Sequence, residues 1–284
     1  MIHVLIPVYN RLKFTKSCIK SIIKQKKCEK IKITIVDDGS KDGTSTYIKK
    51  NFPKIDILSG SGSLFWGGAI NLGVEYIKKN SNKDDWLLIV NNDIELSPNA
   101  ISELVKSSIN LKKKALIGAL TINYNDKRTI IKSGTIVKSW FFNKTNHIYS
   151  GLNVNHLQNK KPIKVDFLTG RCLLHPLKIF SKVGNYDCKT FSHYGGDDEF
   201  SMRVKKYGYT TAICPKSIVY LKSNSPKTVN RNLFMKLLYV LFSIKSSSNV
   251  INKFNLSFRV VPWHAKITFF LIGIIKSLYV FLKK

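Results

Sequence analysis

Trp86-Leu87-Leu88-Ile89-Val90-Asn91-Asn92-Asp93-Ile94-Glu95 is the stretch on which the fold turns. Leu88, Ile89 and Val90 run together without polar alternation, as a strand buried on both faces does. The run stops at Asn91, Asn92 and Asp93, three side chains that carry oxygen acceptors. Open α/β sheets bind ligands at the carboxyl ends of such strands. Hard divalent cations such as Mg²⁺ take one or two carboxylates together with phosphate oxygens and water, and Asp93 offers the carboxylate. The same residues also suit a plain Asn/Asp turn. The stretch alone admits both.

Upstream, residues 2–8 and 31–37 read as apolar strands around a helix over 12–25, whose apolar face is Phe14, Cys18, Ile22 and Ile23. This βαβ unit ends in Val36-Asp37-Asp38-Gly39-Ser40. A short helix over 44–51, stopped by Pro53, and a strand over 55–58 follow. Residues 60–68 (Gly-Ser-Gly-Ser-Leu-Phe-Trp-Gly-Gly) read as a flexible loop carrying two aromatics, with a helix over 69–79 behind it. Ser97-Pro98 opens a helix to about residue 112. This alternation predicts a mostly parallel sheet over residues 1–120. Further on, the pattern predicts strands over 116–123, 129–137 and 164–168 and a short helix over 176–182. A helix over 197–207, closed by Gly208, and short strands over 210–214 and 218–221 complete it.

The chain has 284 residues, 44% of them hydrophobic, enough to bury one large domain or two small ones. Its five cysteines form no CxxC pair, which argues against a disulfide framework or structural zinc and fits a reducing compartment. No secretory signal is expected at the start, which opens directly into Ile2-His3-Val4-Leu5-Ile6-Pro7. The formal net charge is +30, and no acid follows Glu199. Nucleic acid, anionic membrane and phosphate-bearing substrates all match that sign. Residues 233–244 and 267–282 are apolar runs flanked by lysines, with Lys276 inside the second. Neither supplies about 20 consecutive apolar residues, so no spanning helix is expected. Both suit a headgroup region, with Lys236, Lys245, Lys276, Lys283 and Lys284 reaching toward phosphates, and both also suit helices packed on the rest of the chain.

Three acidic clusters fall at expected strand ends or helix starts: Asp37-Asp38, Asp93 with Glu95, and Asp197-Asp198-Glu199. Singly, each has a structural use, as a turn or as a helix start with Asp197 at its N-cap. In order, they belong to a longer series. Ile6-Pro7-Val8-Tyr9-Asn10-Arg11, Val36-Asp37-Asp38-Gly39-Ser40, Trp66-Gly67-Gly68-Ala69-Ile70-Asn71-Leu72-Gly73 and Asn91-Asn92-Asp93 come first. Phe167-Leu168-Thr169-Gly170-Arg171, Val183-Gly184-Asn185-Tyr186-Asp187 and His193 through Arg203 complete it. Over residues 2–215 this ordered set resembles family-2 glycosyltransferases of the GT-A fold, in particular rhamnosyltransferase-like members.

The resemblance implies an α/β fold: a Rossmann-like nucleotide-binding half over 1–114, an acceptor-binding half over 115–222, and a basic, amphipathic helical tail over 223–284. It implies that Pro7, Tyr9, Asn10, Arg11, Asp37, Asp38, Trp66, Asn71, Asn91 and Asn92 serve the nucleotide-sugar, Asp38 through the nucleobase. It further implies that Asp93 binds Mg²⁺ or Mn²⁺ bridging the sugar-nucleotide diphosphate. Asp197 matches the catalytic base of an inverting transfer, with Asp198 the competing assignment. Gly170, Arg171 and His193 are candidate contacts for acceptor or phosphate, with Arg171 equally suited to capping a carbonyl and His193 to a structural role. The donor would be a nucleotide-diphosphate sugar. The acceptor would be a glycan or polyprenyl-diphosphate-linked precursor of a cell-surface polysaccharide, met at the inner face of the cell membrane. The chain departs from the family pattern at Asn91, often Asp, at Gly196, often Glu, and at Leu221, near which many members place a His.

Three rival classes fare worse. A nucleic-acid-binding protein should carry a recognisable module with base-stacking aromatics, and none is visible, so no nucleic acid is expected as partner. A nicotinamide dehydrogenase should follow its first strand with a Gly-rich turn, where this chain has Pro7-Val8-Tyr9-Asn10. A non-catalytic sugar-nucleotide-binding relative stays compatible with the single carboxylate at Asp93 and with Gly196.

Overall fold

The computed structural model describes residues 1–28, 30–157, 160–222 and 232–282. Residues 223–231, where the expected tail begins, and Lys283 and Lys284 lie outside them. The first half runs β1 (Ile2–Val8), α1 (Leu12–Ile23), β2 (Ile31–Asp37), α2 (Thr44–Asn51), β3 (Asp56–Ser59), α3 (Phe65–Lys79), β4 (Trp86–Val90), β5 (Ile94–Leu96) and α4 (Ala100–Asn110). Then come β6 (Ala115–Asn123), β7 (Ile130–Lys132), β8 (Thr135–Ser139), β9 (Lys144–His147), β10 (Ile163–Lys164) and β11 (Cys172–Pro176). The last described elements are α5 (Ile179–Val183), α6 (Gly196–Lys206), β12 (Thr210–Leu221), α7 (Leu233–Phe242), α8 (Val250–Val260) and α9 (Lys266–Leu282).

The main sheet is mixed, ordered β10-β12-β6-β11-β4-β1-β2-β3, with β5 beside β12 and β7 beside β6. The half built from β4, β1, β2 and β3 is entirely parallel, with Ile2 opposite both Ile31 and Trp86. Alternation along β4 explains why: Leu88 and Val90 share one core with Cys18, Ile19 and Ile22 of α1 and Ile101 and Leu104 of α4. Leu87 and Ile89 point the other way, into a core with Ile70, Val74 and Ile77 of α3 and Phe200 of α6. Each such aliphatic side chain, fully buried, stabilises the fold by about 1.5–3 kcal/mol. Helix α3 approaches closely because Gly73 has no side chain: a Cβ there would stand 2.2 Å from a Leu5 methyl. Two-sided burial of β4 fixes the direction in which Asn91, Asn92 and Asp93 emerge.

Several expectations are corrected. Helix α3 begins at Phe65, so Trp66 sits in its first turn rather than in a loop. Strand β11 was not expected, and it inserts antiparallel between β4 and β6. Pro176 closes that strand instead of opening a helix, which starts only at Ile179. The strand expected over 129–137 is broken into β7 and β8 at Ser133-Gly134, where a Cβ on Gly134 would meet Val165 at 2.3 Å. Of the strand over 164–168 only Ile163–Lys164 is regular. The two short strands after 210 form one strand, β12, with a register shift between Cys214 and Ile218.

The C-terminal helices form a layer of their own. The Asn232 and Asn249 side chains cap α7 and α8 by accepting the N–H groups of Met235 and Asn252. Helix α8, also unexpected, packs on α6, and its Arg259 pairs with Asp187. Helix α9 is tied to the β8–β9 hairpin, since Asn143 Nδ2 donates to the Phe269 carbonyl at 2.9 Å. Much of the layer's apolar surface faces outward: Phe234, Ile267 and Trp263 are 66%, 66% and 84% exposed. Among the described residues no helix is long and apolar enough to cross a membrane.

Candidate active site

The ends of β1, β2 and β4 meet around a strained turn. After β1, Asn10 and Arg11 both take positive φ, 56° and 66°, a left-handed conformation tolerated by Asn and uncommon for Arg. The Asn10 N–H donates to Ser40 Oγ at 2.7 Å, and its Oδ1 accepts the Lys41 N–H at 2.9 Å. That bend sends Arg11 toward the end of β4, where Nη1 lies 3.6 Å from Asp93 Oδ2. Pro7 lies in β1 opposite Val36, and Tyr9 at its end is 54% exposed.

The two aspartates ending β2 are buried, and each carboxylate accepts two hydrogen bonds. Asp37 accepts the Ser40 N–H at 2.9 Å and the Ser45 hydroxyl. Asp38 accepts the Gly62 N–H at 2.7 Å on Oδ1 and the Phe65 N–H at 3.1 Å on Oδ2. Asp38 therefore holds the Gly-rich loop and the start of α3 against β2. A carboxylate oxygen has two acceptor directions, so each keeps one for a further donor.

From α3 a chain of contacts runs to the third acidic cluster. Trp66 Nε1–H donates to Asn91 Oδ1 at 2.9 Å, and its ring stands edge-on to Tyr186 at 5.4 Å. The Asn91 N–H donates to the Arg171 carbonyl at 2.9 Å. Next to Arg171, the Gly170 N–H donates to Asp197 Oδ2 at 2.8 Å. Only glycine fits there, since a Cβ on Gly170 would stand 2.6 Å from Trp66 Cζ2. Asp197 also accepts the Asp198 N–H at 3.1 Å on Oδ1. It lies in the first turn of α6, not at the N-cap, which is Gly195 at φ 88°.

Electrostatics separates these acids. Burial raises the Asp197 carboxyl above its ordinary value, against the pull of the Gly170 N–H and Arg171. Burial, and then the charge of Asp197, raises Asp198 further, with Lys132 and Lys253 pulling it down. Asp93 has a different environment: its Oδ1 is buried with no hydrogen-bond partner among the described residues. Such an orphaned oxygen needs an explanation, and a cation is one. No group of three or more His, Cys, Asp or Glu side chains is arranged for a metal among the described residues. Asp93 would therefore hold Mg²⁺ or Mn²⁺ only together with ligands from a substrate, which fits a hard cation that keeps phosphate and water oxygens.

The remaining expected residues divide. Asn92 Nδ2 donates to Thr15 Oγ1 at 3.1 Å, tying β4 to α1. Asn71 Nδ2 donates to the Tyr186 carbonyl at 2.8 Å and its Oδ1 accepts the Tyr186 N–H at 3.2 Å, so its amide locks α3 to the 184–192 segment. His193 has a buried Nδ1 without a partner among the described residues. Burial, and then Lys245 and Arg11, lower its pKa and keep it neutral. Next to Leu221, one of the departures from the family pattern, the Lys222 N–H donates to the Asp93 carbonyl at 2.9 Å, and its ammonium pairs with Glu95. Sequence reasoning missed Lys132 and Lys253 beside Asp198. Two lysines among 47 Lys and Arg residues carry no signal of spacing.

The arrangement is that of an α/β protein with acids gathered at strand ends and at one helix start, and comparisons with known proteins agree. The family model for glycosyl transferase family 2 matches residues 3–183. The chain belongs to that family. It is 23% identical over 211 residues to N-acetylglucosaminyl-diphospho-decaprenol L-rhamnosyltransferase of Mycobacterium tuberculosis, covering 69% of this chain and 68% of that protein. It is 25% identical over 251 residues to an uncharacterized glycosyltransferase of Mycoplasma pneumoniae, an MG060 homolog, covering 78% of this chain and 79% of that one. Among solved structures, GalNAc-T7 with UDP, GalNAc and Mn²⁺ superimposes with a TM-score of 0.63 at 15% identity. That match covers 100% of this chain, which spans 56% of the GalNAc-T7 chain. The mannosyltransferase PcManGT from Pyrobaculum calidifontis, solved with GDP-Man and Mn²⁺, gives 0.62 at 11% identity, covering 98% of this chain and 73% of that one. These likenesses show the GT-A fold.

Proposed function

We propose that the chain is an inverting, metal-assisted glycosyltransferase that moves a sugar from a nucleotide-diphosphate donor to a polyprenyl-diphosphate-linked glycan in cell-surface polysaccharide assembly. The observation that carries this reading is the run of contacts from Asp38 through Trp66, Asn91 and Gly170 to Asp197, which joins the three acidic clusters into one site. On this reading residues 1–114 hold the donor and 115–222 the acceptor. Asp38 offers its spare acceptor directions to the nucleobase, and Pro7, Tyr9 and Asn10 border that pocket. Arg11 and Asp93 face the diphosphate. The relative named for a diphospho-decaprenol acceptor supports the choice of acceptor class.

The chemistry follows from the residues. A divalent cation, when bound with the donor, supplies charge neutralisation for the leaving diphosphate. Asp197 accepts the proton of the acceptor hydroxyl while that oxygen bonds to the anomeric carbon. The anomeric carbon–oxygen bond to the diphosphate breaks on the opposite face, and the nucleoside diphosphate departs with the electron pair. The Gly170 and Asp198 N–H groups hold the carboxylate still, and a raised pKa makes it a stronger base, provided that it is ionised. Asp198 remains the neighbouring acid, and Arg171 and His193 border the phosphate groups.

The helical layer supports a peripheral place on the inner face of an anionic membrane. Its outward face carries Phe234, Trp263 and Ile267, and no acid follows Glu199. Basic side chains near such a surface contribute about 1 kcal/mol each.

The test is a thermal-shift screen of UDP-, dTDP-, GDP- and CMP-sugars with and without Mn²⁺. One nucleotide-diphosphate sugar at about 100 times its Kd should stabilise the protein by about 2.7 kcal/mol. Asp93→Asn should abolish the Mn²⁺-dependent part of that gain. Silence toward every donor defeats the reading, and unchanged Mn²⁺ dependence in Asp93→Asn defeats the metal assignment.

A further inference from the structure

Three basic side chains converge on the acid pair from three separate segments: the turn before β11, β7 and α8. Arg171 follows Gly170, whose N–H is bonded to Asp197. Lys132 ends β7, its Nζ 3.2 Å from His147 Nε2. His147 Nδ1 is in turn 2.8 Å from Thr135 Oγ1, and burial followed by Lys132 keeps the imidazole neutral. Lys253 comes from α8, with its stem against Gly273 of α9, 3.8 Å from where a Cβ would stand. Lys132 and Lys253 both lie within electrostatic reach of Asp198, Lys132 also of Arg171, and Lys253 of Lys276. All three are half-buried, and none makes an ion pair within 4.0 Å among the described residues. Half-buried cations without a counter-charge in contact are costly to keep, and burial lowers the pKa of both lysines. A multivalent anion removes that cost.

We propose that Lys132, Arg171 and Lys253 form the seat of the acceptor's diphosphate, presenting the attached sugar to Asp197. This rests on the glycosyltransferase reading and adds to it the residues that recognise the acceptor's anchor. The chemistry selects a lipid diphosphate. Lys132 and Lys253 come from the acceptor half and the helical layer, on the Asp198 side of the site, whereas Arg11 and Asp93 serve the donor's diphosphate. Helix α8 also carries the exposed stripe Ile251, Phe254 and Phe258, while Lys253, Ser257 and Val260 face inward. One helix thus offers apolar contact to a lipid chain on one side and a cation to its diphosphate on the other. Because α8 packs on α6, docking of the layer completes the seat beside the base.

The experiment titrates the full-length protein, by calorimetry, with farnesyl diphosphate, farnesyl monophosphate and inorganic pyrophosphate in zwitterionic micelles. Phosphatidylglycerol vesicles and the nucleoside diphosphate of the identified donor are titrated separately. The protein should prefer farnesyl diphosphate to the monophosphate by about tenfold, the worth of one charge-assisted contact. The double variant Lys132→Gln/Lys253→Gln should lose at least thirtyfold toward farnesyl diphosphate and keep its nucleoside-diphosphate affinity within twofold. Lys253→Arg should retain most of the affinity, which separates lost charge from a damaged fold. Three results overturn the proposal: equal loss of nucleoside-diphosphate binding, loss confined to phosphatidylglycerol vesicles, or no loss. Failure of the glycosyltransferase reading itself shows separately, as no nucleoside-diphosphate binding by the unaltered protein.

Discussion

Gly170→Ala tests whether Asp197, the proposed base, and the Trp66 ring are one packed unit. The added Cβ would stand 2.6 Å from Trp66 Cζ2, 3.0 Å from Cη2 and 3.5 Å from Asp197 Oδ2. Carbon atoms pack at about 3.5–4.0 Å, so roughly 1 Å must be found. The ring has little room to retreat. Asn91 holds its Nε1, and the ring stands edge-on to Tyr186, which is itself stacked on Phe200 at 4.2 Å. Overpacking of this kind costs about 1–3 kcal/mol, and loss of the Trp66–Asn91 bond adds about 1 kcal/mol. At about 2–4 °C per kcal/mol, Tm should fall by several degrees. If the backbone yields instead, the Gly170–Asp197 bond lengthens, and on the proposed role of Asp197 a 1 Å displacement of its carboxylate should lower transfer by about a hundredfold.

Scanning calorimetry and single-turnover transfer, read on Gly170→Ala, Trp66→Phe and the double variant, make a cycle. Phenylalanine lacks the second ring against which the methyl collides. The double variant should therefore recover at least about 1 kcal/mol relative to the sum of the single changes. A Gly170→Ala protein with unchanged Tm and unchanged transfer, and a cycle that closes without coupling, would refute the reasoning.

Four further perturbations have defined outcomes. Asp197→Asn should keep donor affinity and lower transfer by about 10²–10⁴-fold; full activity in that variant rules Asp197 out as the base. Because burial raises Asp197 and the base must be ionised, transfer should be low on the acid side and climb as pH rises through the raised value. The acid limb should then lie above the ordinary carboxylate value of about 4, and a limb at or below it contradicts the assignment. Arg203→Leu leaves Glu199, otherwise held at 2.7 and 2.9 Å by the guanidinium, buried without its partner. The loss should be about 3 kcal/mol in urea unfolding, and a loss under 1 kcal/mol would contradict that role. Replacing Phe234, Trp263 and Ile267 by serine should abolish flotation with anionic liposomes, and unchanged flotation would remove the membrane face.

Legibility in the sequence followed burial. Strands β1, β2 and β4 were readable because most of their side chains are apolar and buried, and their ends could be named to the residue. Strand β11 was not, since His175 and Pro176 interrupt its apolar run. The His175 imidazole lies in the core, where burial pushes its pKa down to about 3 and the Tyr186 hydroxyl meets Nε2 at 2.9 Å. Helix α8 escaped for a related reason: Asn252, Lys253, Asn255 and Arg259 dilute a face whose inward side is set by packing on α6. The order of Asp38, Asp93 and Asp197 was visible, but their partners were not. Nothing in the chain's order shows that Asp38 is bonded by the 62–65 backbone, or that Asn71 is tied to Tyr186.

The single carboxylate at the end of β4 has a consequence for the order of binding. Asn91 is committed to Trp66 and Asn92 to Thr15, and neither carries charge. Asp93 Oδ2 faces Arg11 at 3.6 Å, and Oδ1 is buried without a partner among the described residues. A cation arriving alone finds one negative charge with a guanidinium already beside it. A cation arriving with a diphosphate brings most of its ligands, and the diphosphate in turn engages Arg11. On the proposed reading, donor and cation therefore bind as a unit, each raising the other's affinity by the same factor, as linkage requires. The orphaned Oδ1 is then a resting cost that donor binding relieves.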